Sequence, residues 1–286
     1  MTALALLLMR GLHWLPLPLL RAGGAALGAL LCLFARERRR VALTNLRLCF
    51  PALSQAQRSA LVRATFRAFS QSVMDRAILW HASPRRIRAL VQVSGEAHLE
   101  RLAGRPVILL APHFAGLDAA WARLTLDRRM ASIYARQKNA AFNQALKAGR
   151  TRFNHPLLLS RQEGMRGILR ELGNGLPLYY LPDMDLGARD AVFAPFFGVS
   201  TATVTAVPRL ARLAGATVLP VVTRMTAQGY QVTIHPPWED FPGTSDQDDA
   251  RRMNAFIEAE VRANPAQYHW LHKRFKTRPA GEARLY

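Results

Sequence analysis

The chain has 286 residues, a formal net charge of +20 at pH 7 and only two cysteines. This length is sufficient for one large domain with a sizeable core, with or without an appendage. The two isolated cysteines, Cys32 and Cys49, exclude a disulfide framework and a cysteine metal cluster, and they fit a reducing compartment. So strong a positive charge attracts polyanions, such as nucleic acid, anionic lipid, phosphorylated substrates and acidic proteins.

The N-terminal segment has the composition of a membrane anchor. Residues 3–35 are rich in leucine and alanine, although two prolines break or kink any helix there. The uninterrupted apolar part, residues 22–35, is short for a clean span. Four arginines follow within residues 36–40, which is typical of a flank that stays cytoplasmic. We therefore predict an anchor over residues 1–40, as one tilted span or an interfacial helix; a buried helix pair in a soluble protein is the alternative.

Residues 41–286 alternate between helical and strand patterns. The predicted helices cover residues 55–80, 84–90, 140–147, 162–172, 204–213 and 246–263, and one more begins at Asp118. The predicted strands cover residues 107–111, 131–134, 176–181, 217–223 and 230–235, the last two joined by a hairpin loop. No linker divides this segment. The pattern predicts one α/β domain with a single mixed sheet flanked by helices.

A histidine and a carboxylate flank the turn after the most apolar predicted strand. The strand over residues 107–111 ends at a proline, His113 follows, and Asp118 opens the next helix. Ligands bind at this edge of open α/β sheets. Because a carboxylate that orients an imidazole makes it a better general base, we predict His113 and Asp118 as the catalytic pair; a structural histidine is the alternative. His235 and Asp240 have the same spacing, but we interpret that proline-stiffened segment as a surface loop.

Other chemistry-bearing residues also follow predicted strands. Asp183 and Asp185 follow one strand, where two carboxylates could bind a metal, orient a basic side chain or only form a turn. Arg136 follows another, where a guanidinium could bind phosphate or an oxyanion, or be a solvated charge. Residues 193–198 are densely apolar and would be an acyl-binding patch if exposed and core if buried. Residues 268–278 mix aromatic and cationic side chains, which suits lipid head groups or nucleic acid.

Several function classes lack their signatures in this sequence. There is no helix-turn-helix pair, zinc-finger spacing or RNP-like strand, no GxxxxGK loop and no GxSxG elbow. We therefore predict no nucleic-acid partner, no cofactor and no metal. Because no nucleophilic side chain is evident, His113 is expected to deprotonate a hydroxyl group that a substrate supplies.

Several motifs together resemble the late acyltransferases of lipid A biosynthesis, the lauroyl and myristoyl acyltransferases within the lysophospholipid acyltransferase superfamily. The motifs are Arg40-Val-Ala-Leu-Thr-Asn45-Leu-Arg-Leu-Cys-Phe50-Pro51, His113-x4-Asp118, Pro182-Asp-Met-Asp-Leu-Gly187 followed by Val192-Phe-Ala-Pro-Phe-Phe-Gly198, and Tyr268-x-Trp270-x-His272-Lys-Arg-Phe-Lys-Thr-Arg-Pro279. The resemblance runs over nearly the whole chain, from the N-terminal anchor onward. Glycerolipid acyltransferases typically have asparagine before the histidine and a Pro-Glu-Gly motif, whereas this chain has Pro112 and no such motif.

The resemblance implies transfer of a fatty acyl chain from acyl carrier protein to a hydroxyl of a Kdo-bearing lipid A precursor. The acceptor would be an anionic phosphoglycolipid at the cytoplasmic face of the inner membrane of a Gram-negative bacterium, which suits a basic enzyme with an acidic carrier protein as donor. His113 would act as general base, oriented by Asp118. Backbone N–H groups near Gly116, or Arg136, would stabilise the oxyanion, and one of the two aspartates after Pro182 would belong to the site.

Two functions from other classes also fit. An acyl hydrolase would use His113 to activate water, and it would release free fatty acid instead of forming an acylated glycolipid. A basic membrane protein that binds polyanions without catalysis would need no histidine–carboxylate pair.

Overall fold

The computed structural model describes residues 2–160 and 165–286, in which helices and strands alternate. The helices are α1 (Thr2–Leu12), α2 (Leu17–Phe34), α3 (Arg36–Cys49), α4 (Gln55–His81), α5 (Pro84–Leu90), α6 (Glu96–Glu100), α7 (Leu117–Thr125), α8 (Ala140–Arg150), α9 (Met165–Gly173), α10 (Ala206–Ala214) and α11 (Asp246–Ala263). The strands are β1 (Val91–Ser94), β2 (Val107–Leu110), β3 (Ala131–Tyr134), β4 (Leu157–Ser160), β5 (Leu178–Tyr180), β6 (Ala191–Phe196), β7 (Val199–Val204), β8 (Thr217–Thr226) and β9 (Gly229–Ile234). A 3-10 turn, Pro265–Gln267, follows α11.

Seven of these strands form one mixed sheet in the order β1-β9-β8-β2-β5-β3-β4. Neighbouring strands are parallel except in the β8–β9 hairpin, which is antiparallel. In the centre of the sheet, Ile108 of β2 pairs with Val218 of β8 on one side and with Leu178 of β5 on the other. The predicted α/β fold with a mixed sheet flanked by helices is confirmed.

The core lies on both faces of this sheet. Val107 and Leu109 of β2 pack into a cluster with α4, α5 and α7, whereas Ile108 and Leu110 pack into a second cluster with α9, α10 and α11. All four side chains are fully buried. A strand covered on both faces needs an uninterrupted apolar sequence, and this is why β2 is recognisable from the sequence.

A separate antiparallel hairpin, β6–β7, was not predicted. Residues 193–198, expected in a loop, form most of β6 and its turn, and Phe196 is fully buried. The core alternative therefore holds for Ala194 and Phe196, whereas Phe193 and Phe197 are half-buried and Pro195 is exposed. Pro195 pairs with Ser200 in this two-stranded sheet, where a strand tolerates a residue whose backbone nitrogen cannot donate a hydrogen bond.

The start of the helix predicted over residues 162–172 lies outside the described residues.

Helix α2 packs lengthwise against α4. A Cβ atom at Gly24 or Gly28 would lie 2.7–2.8 Å from backbone atoms of α4, so glycine permits this close approach. Arg21 of α2 donates to Asp75 of α4 at 3.0 Å, and both side chains are buried. Within the described chain, α2 is also long and apolar enough to cross a membrane, by length and composition alone. The predicted division between anchor and catalytic domain stays a prediction.

Candidate active site

The ends of two neighbouring strands bring His113 and Asp183 together. β2 and β5 are parallel, so both end at the same edge of the sheet. Their ladder continues past β2, where the Ala111 N–H donates to the Tyr180 carbonyl at 2.8 Å. His113 follows Ala111 by two residues, and Asp183 follows Tyr180 by three. The pairing of the strands therefore fixes the positions from which the two side chains meet.

The Asp183 carboxylate binds both the backbone N–H and the imidazole ring of His113. Asp183 Oδ1 lies 2.7 Å from His113 Nδ1, and the His113 backbone N–H donates to Oδ2 at 3.0 Å. Burial raises the pKa of Asp183, but the charge and hydrogen bonds of His113 outweigh it and hold that pKa well below its usual range. An ionised carboxylate only accepts hydrogen bonds, so the neutral imidazole carries its hydrogen on Nδ1 and its lone pair on Nε2. Because Nε2 has no hydrogen-bond partner among the described residues, it is available as a general base.

Asp118 binds two arginines instead of His113. Its Oδ2 accepts from Arg76 Nε at 2.7 Å, and its Oδ1 accepts from Nε and Nη2 of Arg150 at 2.9 and 2.6 Å. Burial raises the pKa of Asp118, but the charges and hydrogen bonds of Arg150 and Arg76 lower it to about 2. The predicted contact between Asp118 and the imidazole is therefore wrong: Asp183 occupies Nδ1, and guanidinium groups engage both Asp118 oxygens. A catalytic contribution of Asp118 by another route stays a prediction.

A cavity of about 1110 Å³ lies beside His113. Its apolar lining comes from α2 and α4 on one side and from residues near α9 and α10 on the other, and includes Leu27, Leu31, Phe69, Ile168, Leu186 and Leu210. Its polar lining includes Arg76, Asp118, Ser132, Arg150 and His269. Pockets of about 300–1,000 Å³ hold drug-sized ligands, so this cavity can accept a long alkyl chain with a polar group near His113.

Asp185 binds the C-terminal segment and not His113. Its carboxylate accepts from the Thr277 backbone N–H at 2.6 Å and from the Thr277 hydroxyl at 2.7 Å. Its own N–H donates to His272 Nε2 at 3.0 Å. The sequence did not indicate which of these two aspartates belongs to the site. In the structure Asp183 pairs with His113, whereas Asp185 holds the C-terminal segment in place.

The aromatic and cationic C-terminal segment is largely part of the core. Tyr268, Trp270 and Phe275 are buried, and Tyr268 forms a β-bridge with Phe114 next to His113. The Asn45 side-chain amide donates to the backbone carbonyls of Trp270 and His272, both at 2.8 Å. Two of the sequence motifs thus bind each other, and the buried aromatic rings do not form a nucleic-acid stacking surface.

Three histidine rings follow one another at the site. The ring centroids of His113 and His269 are 6.1 Å apart, and those of His269 and His272 are 6.4 Å apart. Burial, with the charge of His113, lowers the pKa of His269 to about 3 and that of His272 to about 4. Both rings are therefore neutral near pH 7. Only His113 has a carboxylate on its ring, so it is the histidine best placed to gain a proton during a reaction.

Two predicted oxyanion-binding groups lie outside the described lining of the cavity. Arg136 is exposed in the loop after β3, although its neighbours Ala135 and Gln137 line the cavity. Gly116 packs against β8, where an added Cβ would lie 2.5 Å from Thr223 Cγ2. Close packing therefore explains the glycine. The role of either group in binding an oxyanion stays a prediction.

Arg76 and Arg150, the two arginines that bind Asp118, were not among the predicted site residues. A single arginine in a helix is usually a solvated charge, so neither residue attracts notice alone. Arg76 nevertheless follows Phe69 by seven residues and Val73 by three, which places it on the same face of α4. Phe69 and Val73 both line the cavity. Helical spacing was therefore the available signal for Arg76, whereas Arg150 lay beyond the predicted end of its helix.

The described residues offer no arrangement for a metal ion. Among them, no group of three or more histidine, cysteine, aspartate or glutamate side chains is placed to hold one. The charged groups of the site bind each other, with His113 on Asp183 and both arginines on Asp118. The expected reaction without metal or cofactor stays a prediction.

The chain is similar to several known acyltransferases. The sequence model of the bacterial lipid A biosynthesis acyltransferases matches residues 1–277. The chain is 33% identical over 285 residues to a lipid A biosynthesis palmitoleoyltransferase of Escherichia coli K12, covering 96% of this chain and 92% of that protein. It is 32% identical over 280 residues to the lipid A biosynthesis lauroyltransferase of the same strain, covering 95% and 91%. A solved structure, the 1-acyl-sn-glycerophosphate acyltransferase PlsC of Thermotoga maritima, aligns with a TM-score of 0.40 and 15% identity over 81% of this chain and all of that one. The family match and the two identities show that the chain belongs to the bacterial lipid A biosynthesis acyltransferases.

Proposed function

We propose that this lipid A acyltransferase transfers a fatty acyl chain from acyl carrier protein to a hydroxyl group of a Kdo-bearing lipid A precursor. The observation that carries the proposal is the His113–Asp183 pair at the wall of a largely apolar cavity. The pair supplies a general base for a hydroxyl, and the cavity supplies space for an acyl chain.

The reaction needs one base and one proton transfer in each direction. His113 Nε2 removes the proton of the acceptor hydroxyl while the hydroxyl oxygen attacks the carbonyl carbon of the thioester. The tetrahedral intermediate then expels the thiolate, which takes the proton from the imidazolium, so an ester and the free thiol of the carrier are formed. Asp183 keeps the lone pair on Nε2 and stabilises the imidazolium. General base catalysis of this kind contributes roughly 10²–10⁴-fold to the rate.

The charge of the protein supports anionic substrates. The net charge is +20, and the described residues that line the cavity include five arginines and two acidic residues, Asp118 and Asp190. A cleft with an excess of one sign of charge concentrates ligands of the opposite sign and accelerates their association. An anionic phosphoglycolipid acceptor and an acidic carrier protein both fit this field.

Helix α2 supports a location at the inner membrane, on its cytoplasmic face. Leu27 and Leu31 of α2 line the cavity, whereas Leu30, Leu33 and Phe34 are exposed outside. Because another face of α2 packs against α4, an interfacial position fits this helix better than an isolated span. The arginines at the start of α3 would then lie among anionic head groups. An acyl chain could pass from the bilayer along α2 into the cavity.

Product analysis tests the proposed function. The purified protein is incubated with acyl–acyl carrier protein and a Kdo-bearing lipid A precursor, and the lipids are analysed by mass spectrometry. We expect a glycolipid heavier by one acyl chain, and none with His113→Ala. Free fatty acid as the only new product would identify a hydrolase. The absence of both products with every acyl donor would favour a polyanion-binding protein. Mass spectra of lipid A from cells with and without the gene test the same reaction in vivo.

A further inference from the structure

A cluster of two arginines and one aspartate lies in the wall of the cavity that His113 also lines. Arg76 comes from α4, Asp118 from the start of α7 and Arg150 from the last turn of α8. The side chains of Arg76 and Arg150 are 22% and 19% exposed, and both residues line the cavity. Two cations and one anion leave this cluster with one positive charge.

The cluster has hydrogen-bond donors to spare. Asp118 engages only Nε of Arg76, and only Nε and Nη2 of Arg150. Both terminal nitrogens of Arg76 and Nη1 of Arg150 therefore have no hydrogen-bond partner within residues 2–160 and 165–286, although the Arg76 guanidinium lies over the Trp80 ring, 5.8 Å from its centroid. Each guanidinium group is held in place by the aspartate and keeps further N–H groups for a ligand.

An excess positive charge in a partly buried apolar cavity is unfavourable unless an anion accompanies it. We propose that Arg76 and Arg150 bind a phosphate group of one of the two substrates, with Asp118 as the residue that positions both guanidinium groups. A tetrahedral phosphate presents several acceptor oxygens in different directions, which suits donors that arrive from two helices. This inference rests on the proposed function and adds a subsite to it.

Either substrate can supply this phosphate. The acceptor carries phosphate on its sugar, and the carrier protein carries a phosphodiester in its pantetheine arm. In both cases the phosphate would be bound in the cavity that contains His113, and it would fix the position of the substrate relative to the base. If the acceptor supplies the phosphate, loss of an arginine should raise KM for the acceptor. If the carrier protein supplies it, the same loss should raise KM for the donor.

Kinetic cycles between arginine and phosphate test the subsite. The full-length protein in detergent is assayed as wild type, Arg76→Gln and Arg150→Gln, with phosphorylated and dephosphorylated acceptor, and with acyl-phosphopantetheine and acyl-pantetheine as minimal donors. Charged hydrogen bonds of this kind change affinity roughly 10- to 100-fold, so we expect KM for the phosphate-bearing substrate to rise by that factor. On the matching phosphate-free substrate, wild type and variants should be equally poor.

The control variant is Arg212→Gln. Arg212 also binds two carboxylates, Asp246 and Asp249, but it is not among the described residues that line the cavity. Its replacement should leave every KM unchanged. If an Arg76→Gln protein does not fold, as judged by thermal melting, Arg76→Lys keeps the charge, loses the planar fork and should still show a raised KM.

Two results would overturn the subsite. One is an unchanged KM for both phosphate-bearing substrates in the folded variants. The other is an equal loss on phosphate-bearing and phosphate-free substrates, which would mean that the cluster only joins α4, α7 and α8. In either case the proposed function would stand, provided that the wild type forms acylated glycolipid and His113→Ala does not. Free fatty acid as the sole product would refute the proposed function, whatever the arginine variants do.

Discussion

The substitution Asp183→Asn tests the catalytic pair with very little change in shape. Asparagine keeps one oxygen and replaces the other with an NH₂ group. If its oxygen accepts from the His113 backbone N–H, the NH₂ group faces Nδ1 and donates to it. The hydrogen of the neutral ring then moves to Nε2, so the lone pair is lost from the position where the acceptor hydroxyl needs it. In the opposite orientation the imidazolium still loses its counter-charge.

The expected loss is large for kcat and modest for stability. Removing the function of a general base lowers the rate by roughly 10²–10⁴, and the corresponding substitution in Ser-His-Asp triads lowers kcat by about 10⁴. We therefore expect Asp183→Asn to lower kcat about 10²–10⁴-fold, since it leaves the base in place with the wrong tautomer. Loss of a charged hydrogen bond destabilises the fold by about 1.5–3 kcal/mol. Because the pKa of Asp183 is depressed, this stabilisation is present above about pH 4 and is lost as the pH falls further.

Initial rates at saturating donor and acceptor, normalised to folded protein by thermal melting, measure this effect. Asp185→Asn is the matched control, because it is the same substitution two residues away, on a carboxylate that binds Thr277 and not His113. It should lower the melting temperature and leave kcat within about tenfold of wild type. A folded Asp183→Asn enzyme with kcat within about threefold of wild type, alongside an inactive His113→Ala enzyme, would refute the assignment of Asp183.

The general base, helix α2 and the buried neutral histidines can each be tested by substitution. His113→Ala should abolish transfer while membrane binding persists. The control His235→Ala removes a histidine that lies 4.0 Å from Glu260, and it should leave kcat unchanged. An equal loss of kcat in the two variants would contradict the assignment of His113 as the base. The double substitution Leu33→Glu and Phe34→Glu should lower the fraction of protein that floats with anionic vesicles by about tenfold or more. Both side chains are exposed on α2, and burial of each in a bilayer contributes about 1.5–3 kcal/mol. Unchanged flotation would refute the interfacial role of α2. The free energy of unfolding, measured in denaturant, should fall as the pH drops from 6.5 towards 4, because the unfolded chain binds protons that the folded chain does not. The fall is up to about 1.4 kcal/mol per pH unit for each histidine that is buried and neutral in the folded protein, namely His269 and His272. If His272→Gln does not reduce this dependence on pH, His272 does not contribute to it.

The elements predicted well from the sequence are those whose local pattern and core environment agree. Helix α11 has three acidic residues in its first turn, which are typical of a helix N-terminus, and residues 246–263 were predicted with their observed bounds. Helix α5 was predicted equally well, from Pro84 in its first turn. The strands β1 and β4 were missed for a different reason in each case. β1 has only two apolar side chains, Val91 and Val93, and β4 is a run of three leucines, which suits a helix as well as a strand.

The part of the candidate site that was predicted correctly is the part that one segment of the sequence determines. The apolar strand before His113 placed that residue at the ligand-binding edge. Which carboxylate reaches its ring depends on which strands lie beside β2 in the sheet, and one of them, β5, is about 70 residues away along the chain. Spacing along one segment cannot contain that information. The same holds for Arg76, which joins the site only because α4 packs against α7.

The two carboxylates near His113 differ in what already neutralises them. Asp118 is bound by two guanidinium groups, which stay charged at any working pH, so little of its field remains for a new cation. Asp183 binds the histidine ring itself, and its counter-charge is therefore strongest when that ring gains a proton. In the proposed reaction, the imidazolium that forms when the acceptor hydroxyl is deprotonated has its counter-charge in Asp183. Asp118 would instead position the two arginines that bind a substrate phosphate, so the histidine and the carboxylate five residues apart would serve different tasks, proton transfer and substrate binding.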